Sequence, residues 1–397
     1  MTRHFNKTLK QLAALAYTRG IHYDLDHMQQ ALALLDYPEK KCPPIFHLAG
    51  SNGKGSTASF LKHALIHQGF RVGLYTSPHL HCYTERFQIN FHAISPEDFV
   101  DSYQHVDQAL PSHLGLCEFE YLSCMAFVYF SSQNCDYLIL ETGLGGRLDA
   151  TNVCDPLASI ITSISYDHQD ILGHSLTEIA NEKAGIIKKM RPVFTLASQE
   201  KVVLDVLRNT AKKKHCPLFL SHPLLSQKLP PYQLQNAGLA KSVLHHFFPQ
   251  YDETKNLTHL FESHTIPGRF EKFQITPHQK YIFDVAHNEA GIKALVESLK
   301  HHHINLKETL IVLSIQKRKD APSMIDYLLK ENLKICYYQE ANESYWSLKE
   351  LQSIFSKELI PSFIFENLPP TKNLIFTGSF YWIDDVKKRL KINKLCL

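Results

Sequence analysis

The sequence predicts an α/β protein whose mostly parallel sheets are covered by helices on both faces. Apolar, strand-like runs alternate with helical patterns along most of the chain, and that rhythm is typical of parallel strands joined by helices. Polar motifs follow several of the runs directly. Because ligands of such folds bind at the carboxyl ends of the strands, these motifs indicate where the functional residues lie.

The predicted elements form two blocks within a chain of 397 residues, a length that suits two or three domains. In the first block the predicted strands are Ile45–Ala49, Arg71–Tyr75, Tyr137–Glu141, Ser159–Ser163 and Pro192–Leu196, and the predicted helices are Ser56–Gln68, Glu118–Ser131 and Leu176–Ile187. In the second block the predicted strands are Tyr281–Asp284, Leu310–Ser314, Lys334–Tyr338 and Asn373–Thr377, with helices at Ala290–Lys300 and Pro322–Glu331. Pro267 and Gly268 interrupt regular structure between the blocks. We therefore expect domains at 1–265 and 266–397.

The first informative motif is the glycine-rich stretch HLAGSNGKGS at His47–Ser56. It follows an apolar strand and precedes a helical pattern, which is the context in which such a loop binds phosphates. Glycines let backbone N–H groups surround a polyphosphate, the helix N-terminus adds positive potential, and a lysine neutralises the outer phosphates. The stretch therefore predicts nucleoside triphosphate binding, the alternative being an ordinary strand-to-helix turn. The residues expected to hold the phosphates are Ser51, Asn52, Gly53, Lys54, Gly55 and Ser56.

Two further strand ends carry candidate metal ligands. Glu141 ends a predicted strand, and Asp167-His168 follows another, so both should face the same rim of the sheet as the glycine loop. Mg²⁺ prefers oxygen ligands and bridges phosphates, which makes a carboxylate at this rim a candidate ligand. The alternatives are an exposed strand-end acid for Glu141 and a structural histidine for His168. Lys183, within a helical pattern, would ordinarily be solvated.

In the second block, Asp284–Asn288 follows a predicted strand and Arg269 follows the interrupting glycine. These groups are positioned to meet a nucleotide held across an interdomain cleft. Neither motif is specific by itself.

Composition excludes several classes of protein. A formal net charge of +3 is too small to indicate nucleic-acid binding, and the nine cysteines show no C-x-x-C spacing of a zinc site. No run of 18 apolar residues that could cross a membrane occurs, and no signal-peptide pattern is present. We expect a cytoplasmic protein that does not associate with membranes.

Taken together, the motifs resemble the dihydrofolate synthase/folylpolyglutamate synthase family, a branch of the Mur ligase superfamily. The resembling segments are HLAGSNGKGS at 47–56, GLYTSPHLHCYTERF at 73–87, ETGLGGRLDATNV at 141–153, the stretch 161–188, QLQNAGLA at 233–240, PGRFE at 267–271, FDVAHN at 283–288 and TGSFYW at 377–382. The resemblance implies a P-loop NTPase-like Mur ligase central domain and a smaller Rossmann-like C-terminal domain.

The implied activity is ATP-dependent ligation of L-glutamate to 7,8-dihydropteroate, and to the γ-carboxyl of tetrahydrofolate, through an acyl phosphate. The resemblance also implies two Mg²⁺ ions, small-molecule partners and a monomer. The alternatives are a Mur-type ligase for another carboxylate, an enzyme with dihydrofolate synthase activity only, a P-loop kinase and a non-catalytic regulatory protein.

The resemblance carries the family's functional residues onto matching positions. The implied metal ligands are Ser77, Glu141 and His168, and the implied nucleotide contacts beyond the loop are Asn236, Arg269, Asp284 and His287. The implied catalytic residues are Lys54, His168 and Lys183, and Lys183 matches a lysine that is carbamylated in the family. The implied pterin contacts are Cys117, Phe119, Glu120, Leu148, Asp149 and Ala150. Cys117 stands where many relatives have threonine, and His22 where some have aspartate. Gln316–Asp320 keeps only the last two residues of the family's Asp-Lys-Asp motif.

Overall fold

The computed structural model describes residues 2–15, 24–249, 257–357, 359–365, 368 and 372–392. No helix within these ranges is long and apolar enough to cross a membrane. The eight cysteines that fall within them are free thiols. His22, where the sequence departs from some relatives, lies outside the described residues.

Residue contacts divide the chain into two units. Unit 1 consists of Met1–Ile164, Leu172–Leu224 and Gln235–Phe261, and unit 2 of Ser165–Ile171, Leu225–Leu234 and Glu262–Leu397. The last stretch of unit 2 begins four residues before the domain boundary expected from the sequence. Two shorter segments, Ser165–Ile171 and Leu225–Leu234, also group with unit 2, although the sequence predicted them to belong to the first domain.

Helices and strands alternate along most of the chain. The helices are α1 (Thr2–Leu15), α2 (Asp26–Leu34), α3 (Pro38–Lys41), α4 (Lys54–His67), α5 (Pro96–Ala109), α6 (Glu118–Ser131), α7 (Gln169–Leu172), α8 (Leu176–Ala184), α9 (Lys201–Lys213), α10 (Pro231–Phe247), α11 (Leu257–Ser263), α12 (Glu289–His301), α13 (Ala321–Lys330), α14 (Leu348–Ile354) and α15 (Phe380–Arg389). The strands are β1 (Ile45–Ala49), β2 (Val72–Tyr75), β3 (Phe87–Ile89), β4 (His92–Ala93), β5 (Tyr137–Glu141), β6 (Ala158–Ile161), β7 (Val193–Leu196), β8 (Leu218–Ser221), β9 (Glu271–Thr276), β10 (Gln279–Phe283), β11 (Thr309–Leu313), β12 (Lys334–Tyr337) and β13 (Asn373–Thr377).

Unit 1 is built on an eight-stranded sheet in the order β4-β3-β2-β5-β1-β6-β7-β8. The six strands from β2 to β8 in this order are parallel, while β3 and β4 join antiparallel at one edge. Every residue of β1 is buried, as a continuous apolar run predicts for a central parallel strand. The ends of β1, β5 and β6 therefore lie side by side at the rim that carries the glycine loop.

Unit 2 is built on a five-stranded sheet in the order β12-β11-β13-β10-β9. Four strands are parallel, and β9 pairs antiparallel with β10 at the edge. Its apolar core includes Ile282, Ile311 and Ile375 from three neighbouring strands, all fully buried. The strand ends of this sheet carry Asp284 and the residues that follow it.

The structure confirms the predicted strands and helices to within a few residues, with physical reasons for the differences. Helix α8 ends at Ala184 and not at Ile187, because Gly185 and Ile186 carbonyl oxygens accept hydrogen bonds from Asn152 and Ser159 side chains instead. Helix α4 begins two residues earlier than predicted, at Lys54, because Gly53 with a φ of 91° turns the chain into the helix.

Candidate functional site

The glycine loop between β1 and α4 is tied to the residues that follow β6. The backbone N–H groups of Ser51 and Asn52 donate to the Ser163 carbonyl oxygen, at 2.8 and 3.2 Å. A Cβ atom on Gly53 would lie only 2.3 Å from the Asn236 amide oxygen. Glycine is therefore required at position 53 by both its positive φ and the close approach of Asn236. The structure thus brings Asn236 of α10 to the loop within unit 1.

Two lysines converge on one carbonyl group of this loop. The ammonium groups of Lys54 and Lys183 each donate to the Gly50 carbonyl oxygen, both at 3.0 Å. Lys183 is buried, although the helical pattern alone would have made it solvated. The Lys54 ammonium therefore places a positive charge at the start of α4, which suits a polyphosphate ligand, and Lys183 is held at the same carbonyl group.

Ser56 in the first turn of α4 has a buried hydroxyl without a hydrogen-bond partner among the described residues. Buried polar groups are nearly always paired, so an orphaned hydroxyl in a phosphate loop indicates a place for a ligand. In loops of this kind the hydroxyl at the start of the helix binds Mg²⁺. The residue present therefore fits a magnesium ion bound to a nucleotide.

Glu141 at the end of β5 is only 3% exposed, so the interpretation as an exposed strand-end acid is wrong. Its Oε2 atom accepts hydrogen bonds from the Thr76 hydroxyl and, at 3.2 Å, from the Ser77 backbone N–H. A Cβ atom on Gly55 would come within 3.6 Å of the same oxygen. The carboxylate therefore lies beside both the Ser77 turn and the first turn of α4, where the sequence predicts a metal ligand.

In unit 2, Asp167 and His168 form a compact cluster with Lys319. The Lys319 ammonium lies 2.7 Å from Asp167 Oδ1 and 3.0 Å from His168 Nε2. Since an ammonium group can only donate, Nε2 accepts, and its lone pair is the one that a metal ion would use. His168 has a φ of 49°, an uncommon value for a non-glycine residue.

His287 and Asn288 complete this cluster. The Asn288 amide donates to Asp167 Oδ2 at 3.0 Å, and His287 Nε2 lies 3.8 Å from the same oxygen. Burial and the Lys319 charge lower the pKa of His287 to about 3, so the imidazole is neutral at pH 7. Burial alone would raise the pKa of Asp167, but the Lys319 ammonium above all holds that pKa below its usual range.

Arg269 and Asp284 occupy neighbouring positions in unit 2. The Asp284 carboxylate is 4% exposed and accepts a hydrogen bond from the Phe270 backbone N–H at 2.9 Å. The Arg269 guanidinium lies 4.8 Å from the centre of the Phe380 ring, a cation–π contact. Burial raises the pKa of Asp284, and the Arg269 charge opposes that rise.

Comparison with known proteins identifies the family. The model of the Mur ligase middle domain matches residues 48–228. The dihydrofolate synthase/folylpolyglutamate synthase of Bacillus subtilis (strain 168) is 32% identical, over 94% of this chain and 96% of the relative. The chain belongs to the dihydrofolate synthase/folylpolyglutamate synthase family.

Solved structures of the family agree over nearly the whole chain. Escherichia coli FolC in complex with DHPP and ADP has a TM-score of 0.85 and 25% identity, covering 97% of this chain and 98% of that one. A bifunctional folylpolyglutamate synthase/dihydrofolate synthase with Mn, AMPPNP and L-glutamate bound has a TM-score of 0.82 and 27% identity, covering 97% and 98%. These matches confirm the predicted fold class and the ATP-dependent ligase class, and they favour neither a kinase nor a regulatory protein.

Among the expected pterin contacts, Asp149 is engaged inside the protein. Its Oδ2 atom accepts from the N–H groups of Gly143 and Leu144, at 2.8 and 2.9 Å. Its Oδ1 atom accepts from the N–H group and the hydroxyl of Thr151, at 3.0 and 2.5 Å. Four protein donors surround the carboxylate, so Asp149 holds the glycine-rich loop after β5 in shape.

The other expected pterin residues surround that loop within unit 1. A Cβ atom on Gly143 would lie 2.6 Å from the Phe119 ring, so this ring packs directly on the loop. Glu120 accepts a hydrogen bond from the Cys117 backbone N–H at 2.7 Å and caps α6. Burial, with the Glu120 charge, raises the pKa of the Cys117 thiol to about 11, which keeps it protonated. Leu148 is half-buried and Ala150 belongs to the buried core.

A buried hydrogen-bond chain supports Asp149 from the core. His47 Nε2 lies 2.8 Å from the Thr151 hydroxyl oxygen, and His47 Nδ1 lies 3.6 Å from Cys154 Sγ. Because the Thr151 hydroxyl donates its hydrogen to Asp149, His47 Nε2 must carry the hydrogen donated to Thr151. Burial lowers the pKa of His47 to about 3, with the Lys188 charge acting in the same direction. His47 is therefore neutral in the folded protein.

This neutral histidine should make stability depend on pH. An unfolded histidine titrates near pH 6.5, whereas folded His47 titrates near 3, so acidification protonates only the unfolded chain. We expect the wild type to lose about 2 kcal/mol more unfolding free energy than His47→Gln between pH 7 and pH 5. Urea denaturation of both proteins at each pH measures this difference, and equal losses would contradict the assignment.

Lys319 is a site residue that the sequence motifs did not predict. Its stretch, Gln316–Asp320, stood out in the sequence only as a departure from the family pattern. Three basic residues in a row gave no signal of which one is buried. The match of Lys319-Asp320 to the end of the family's motif was the available clue.

Proposed function

We propose that this protein joins the amino group of L-glutamate to the carboxyl group of 7,8-dihydropteroate, and to the γ-carboxyl of tetrahydrofolate, with conversion of ATP to ADP and phosphate. The observation that carries the proposal is the glycine loop of unit 1. There Lys54 and Lys183 share one carbonyl acceptor, Ser56 presents an orphaned hydroxyl and Glu141 lies alongside. Family membership supplies the substrates.

The reaction requires an activated carboxyl group, because a carboxylate is a poor electrophile. A substrate carboxylate oxygen attacks the γ-phosphorus of ATP, ADP leaves, and an acyl phosphate forms. The glutamate nitrogen then attacks the acyl carbon, phosphate leaves with the bridging oxygen, and the nitrogen loses its protons to solvent. Catalysis by the protein would consist mainly of positioning and charge neutralisation.

The phosphates would be held by the loop Ser51–Ser56, with Lys54 and the first turn of α4 neutralising their charge. In unit 1, Ser77 and Glu141 would hold Mg²⁺, and Ser56 adds a hydroxyl to that donor set. In unit 2, His168 is a further proposed magnesium ligand. Bound magnesium would neutralise part of the negative charge of the phosphates. Loading a metal on His168 Nε2 would require its hydrogen bond from Lys319 to be replaced.

We propose that Lys183 is carbamylated in the working enzyme. A carbamate carries negative oxygens that would support magnesium, and its nitrogen keeps one N–H for the Gly50 carbonyl, which the Lys183 nitrogen contacts at 3.0 Å. Native mass spectrometry of protein prepared with bicarbonate should show one added CO₂ that Lys183→Arg lacks. An unmodified mass in fully active enzyme would oppose this part of the proposal.

Arg269, Asp284 and His287 are the proposed nucleotide contacts of unit 2, and Asn236 is one of unit 1. Arg269→Ala is expected to raise the KM for ATP about tenfold or more, because a cation that meets the nucleotide is lost. Steady-state kinetics with varied ATP measure the effect. Arg318→Ala, which removes an exposed arginine of the same unit, is the control. A KM unchanged in both variants would remove Arg269 from the binding site.

One assay tests the function as a whole. Purified protein would receive ATP, Mg²⁺ and labelled L-glutamate, with dihydropteroate or tetrahydrofolate offered separately. We expect labelled product with each acceptor, and phosphate release that depends on acceptor and glutamate together. Product with dihydropteroate alone would reduce the function to dihydrofolate synthase. Glutamate-independent phosphorylation of the acceptor as the end product would overturn the ligase mechanism.

A further inference from the structure

Tyr232 makes a contact with Asp284 that the sequence motifs do not reveal. It lies in the first turn of α10, and its ring packs against the apolar core of unit 2. Its hydroxyl donates a hydrogen bond to Asp284 Oδ2 at 2.8 Å. The ring position is thus set by packing, while the hydroxyl acts on a single carboxylate oxygen.

The two carboxylate oxygens of Asp284 accept different numbers of hydrogen bonds from the protein. Oδ2 accepts from the Tyr232 hydroxyl and from the Phe270 backbone N–H, at 2.8 and 2.9 Å. Among the residues that the structure describes, only the Ala286 backbone N–H donates to Oδ1, at 2.9 Å. A carboxylate oxygen accepts about two hydrogen bonds, so Oδ1 retains capacity for a ligand donor, whereas Oδ2 does not.

The Phe270 donor is held in place by an unusual backbone conformation. Phe270 has a φ of 50°, in the left-handed region that bulky residues rarely adopt. Its ring stacks on His302 with centroids 5.1 Å apart and an interplanar angle of 20°. Stacking and burial hold this conformation, and the N–H group points at Asp284. Two independently held groups, the Phe270 backbone N–H and the Tyr232 hydroxyl, therefore donate hydrogen bonds to the same carboxylate oxygen.

We propose that Tyr232 is a positioning residue for nucleotide binding: its hydroxyl anchors Oδ2 of Asp284, so that Oδ1 is presented to a hydroxyl or amino donor of the nucleotide. The proposal deepens the function proposed above and rests on the nucleotide role of Asp284. Without the Tyr232 hydroxyl, one oxygen loses half of its donors, and the carboxylate gains freedom to rotate about its terminal bond.

Tyr232→Phe tests the proposal, because it keeps the packed ring and removes only the hydroxyl. We expect the Kd for ADP and the KM for ATP to rise about five- to tenfold, as for a lost hydrogen bond to a charged group. The kcat and the KM for glutamate should stay within about twofold, since the proposed role of the hydroxyl concerns the nucleotide only. Tyr103→Phe, which removes a hydroxyl bonded to Asp107 at 3.4 Å in unit 1, should change none of these values.

A pH profile separates positioning from a general loss of structure. Burial raises the pKa of Asp284 and the Tyr232 hydrogen bond opposes that rise. The pH below which ADP affinity falls should therefore be higher in Tyr232→Phe than in the wild type. A variant that is only less stable would show the wild-type pH dependence. Binding is measured by calorimetry below the unfolding temperature of each variant.

Asp284→Asn distinguishes failure of this inference from failure of the proposed function. If Asp284→Asn weakens ADP binding while Tyr232→Phe leaves it unchanged, the positioning role of Tyr232 is refuted and the nucleotide role of Asp284 stands. If neither variant weakens binding, the nucleotide role of Asp284 is itself refuted. Weakening in both, with the shifted pH dependence, supports the inference.

Discussion

Lys54→Met is expected to lower the rate of glutamate-dependent phosphate release about a thousandfold, the scale of losing a preorganised charge at a reacting phosphate. Lys54 is half-buried, and its ammonium donates to the Gly50 carbonyl oxygen at 3.0 Å, so little packing depends on it. Methionine keeps the length of the side chain and its helix propensity. The melting temperature should therefore stay within about 3 °C of the wild type.

The matched control for this result is Lys212→Met, which removes an exposed ammonium from α9 without touching the loop. Its activity should equal that of the wild type. Comparable activity in Lys54→Met and Lys212→Met would mean that the glycine loop does not hold the reacting phosphates, and the proposed site would have to be abandoned.

Lys319→Met is expected to destabilise the protein by about 3–5 kcal/mol, because it leaves the buried Asp167 carboxylate without its cation. Lys319 Nζ and Asp167 Oδ1 are 2.7 Å apart, and both side chains are less than 10% exposed. Chemical denaturation measures the loss. The control is Lys317→Met, two residues before Lys319, which breaks an exposed ion pair with Glu350. It should lower the free energy of unfolding by no more than about 1 kcal/mol.

A double variant separates the stability of this pair from its function. Asp167→Asn with Lys319→Met removes both charges, so much of the lost unfolding free energy should return. Phosphate release should nevertheless remain at least about tenfold below the wild type, because the ion pair that borders His168 and His287 is absent. Full activity in the stable double variant would show that the cluster serves the fold alone.

The parts of the site that follow from local sequence could be predicted. A strand, a glycine loop and a helix are adjacent in the chain, so the loop that carries Lys54 could be predicted from nearby residues, whereas the approach of Lys183 to the same loop could not. Glu141 could be placed at a sheet rim, because it ends a buried apolar run, and Asp167 could be singled out because it follows another such run. Their burial and partners depend on residues far away in sequence, as Lys319 lies 152 positions from Asp167.

Packing, not composition, selects Lys319 among its basic neighbours. Its backbone carbonyl accepts a hydrogen bond from the Trp346 indole N–H at 3.1 Å, while the Lys317 side chain points to the exposed Glu350. Strand β9 was missed for a related reason. It lies at the edge of its sheet and is mostly exposed, so no apolar run marks it. The carboxylate contact of Tyr232 likewise has no sequence signature.

The four donors around Asp149 have a consequence for substrate choice. At the pterin site that the family resemblance implies, Asp149 already fixes the peptide groups at 143 and 144, so a bound pterin would not have to order them. The associated entropy would then not be subtracted from its affinity. A preorganised loop of this kind would discriminate between ligands by their shape and would not adapt to a different ring system. Differences in substrate preference between relatives would then arise from side chains next to the loop, such as Cys117 and Phe119, and not from a change in the backbone path of the loop.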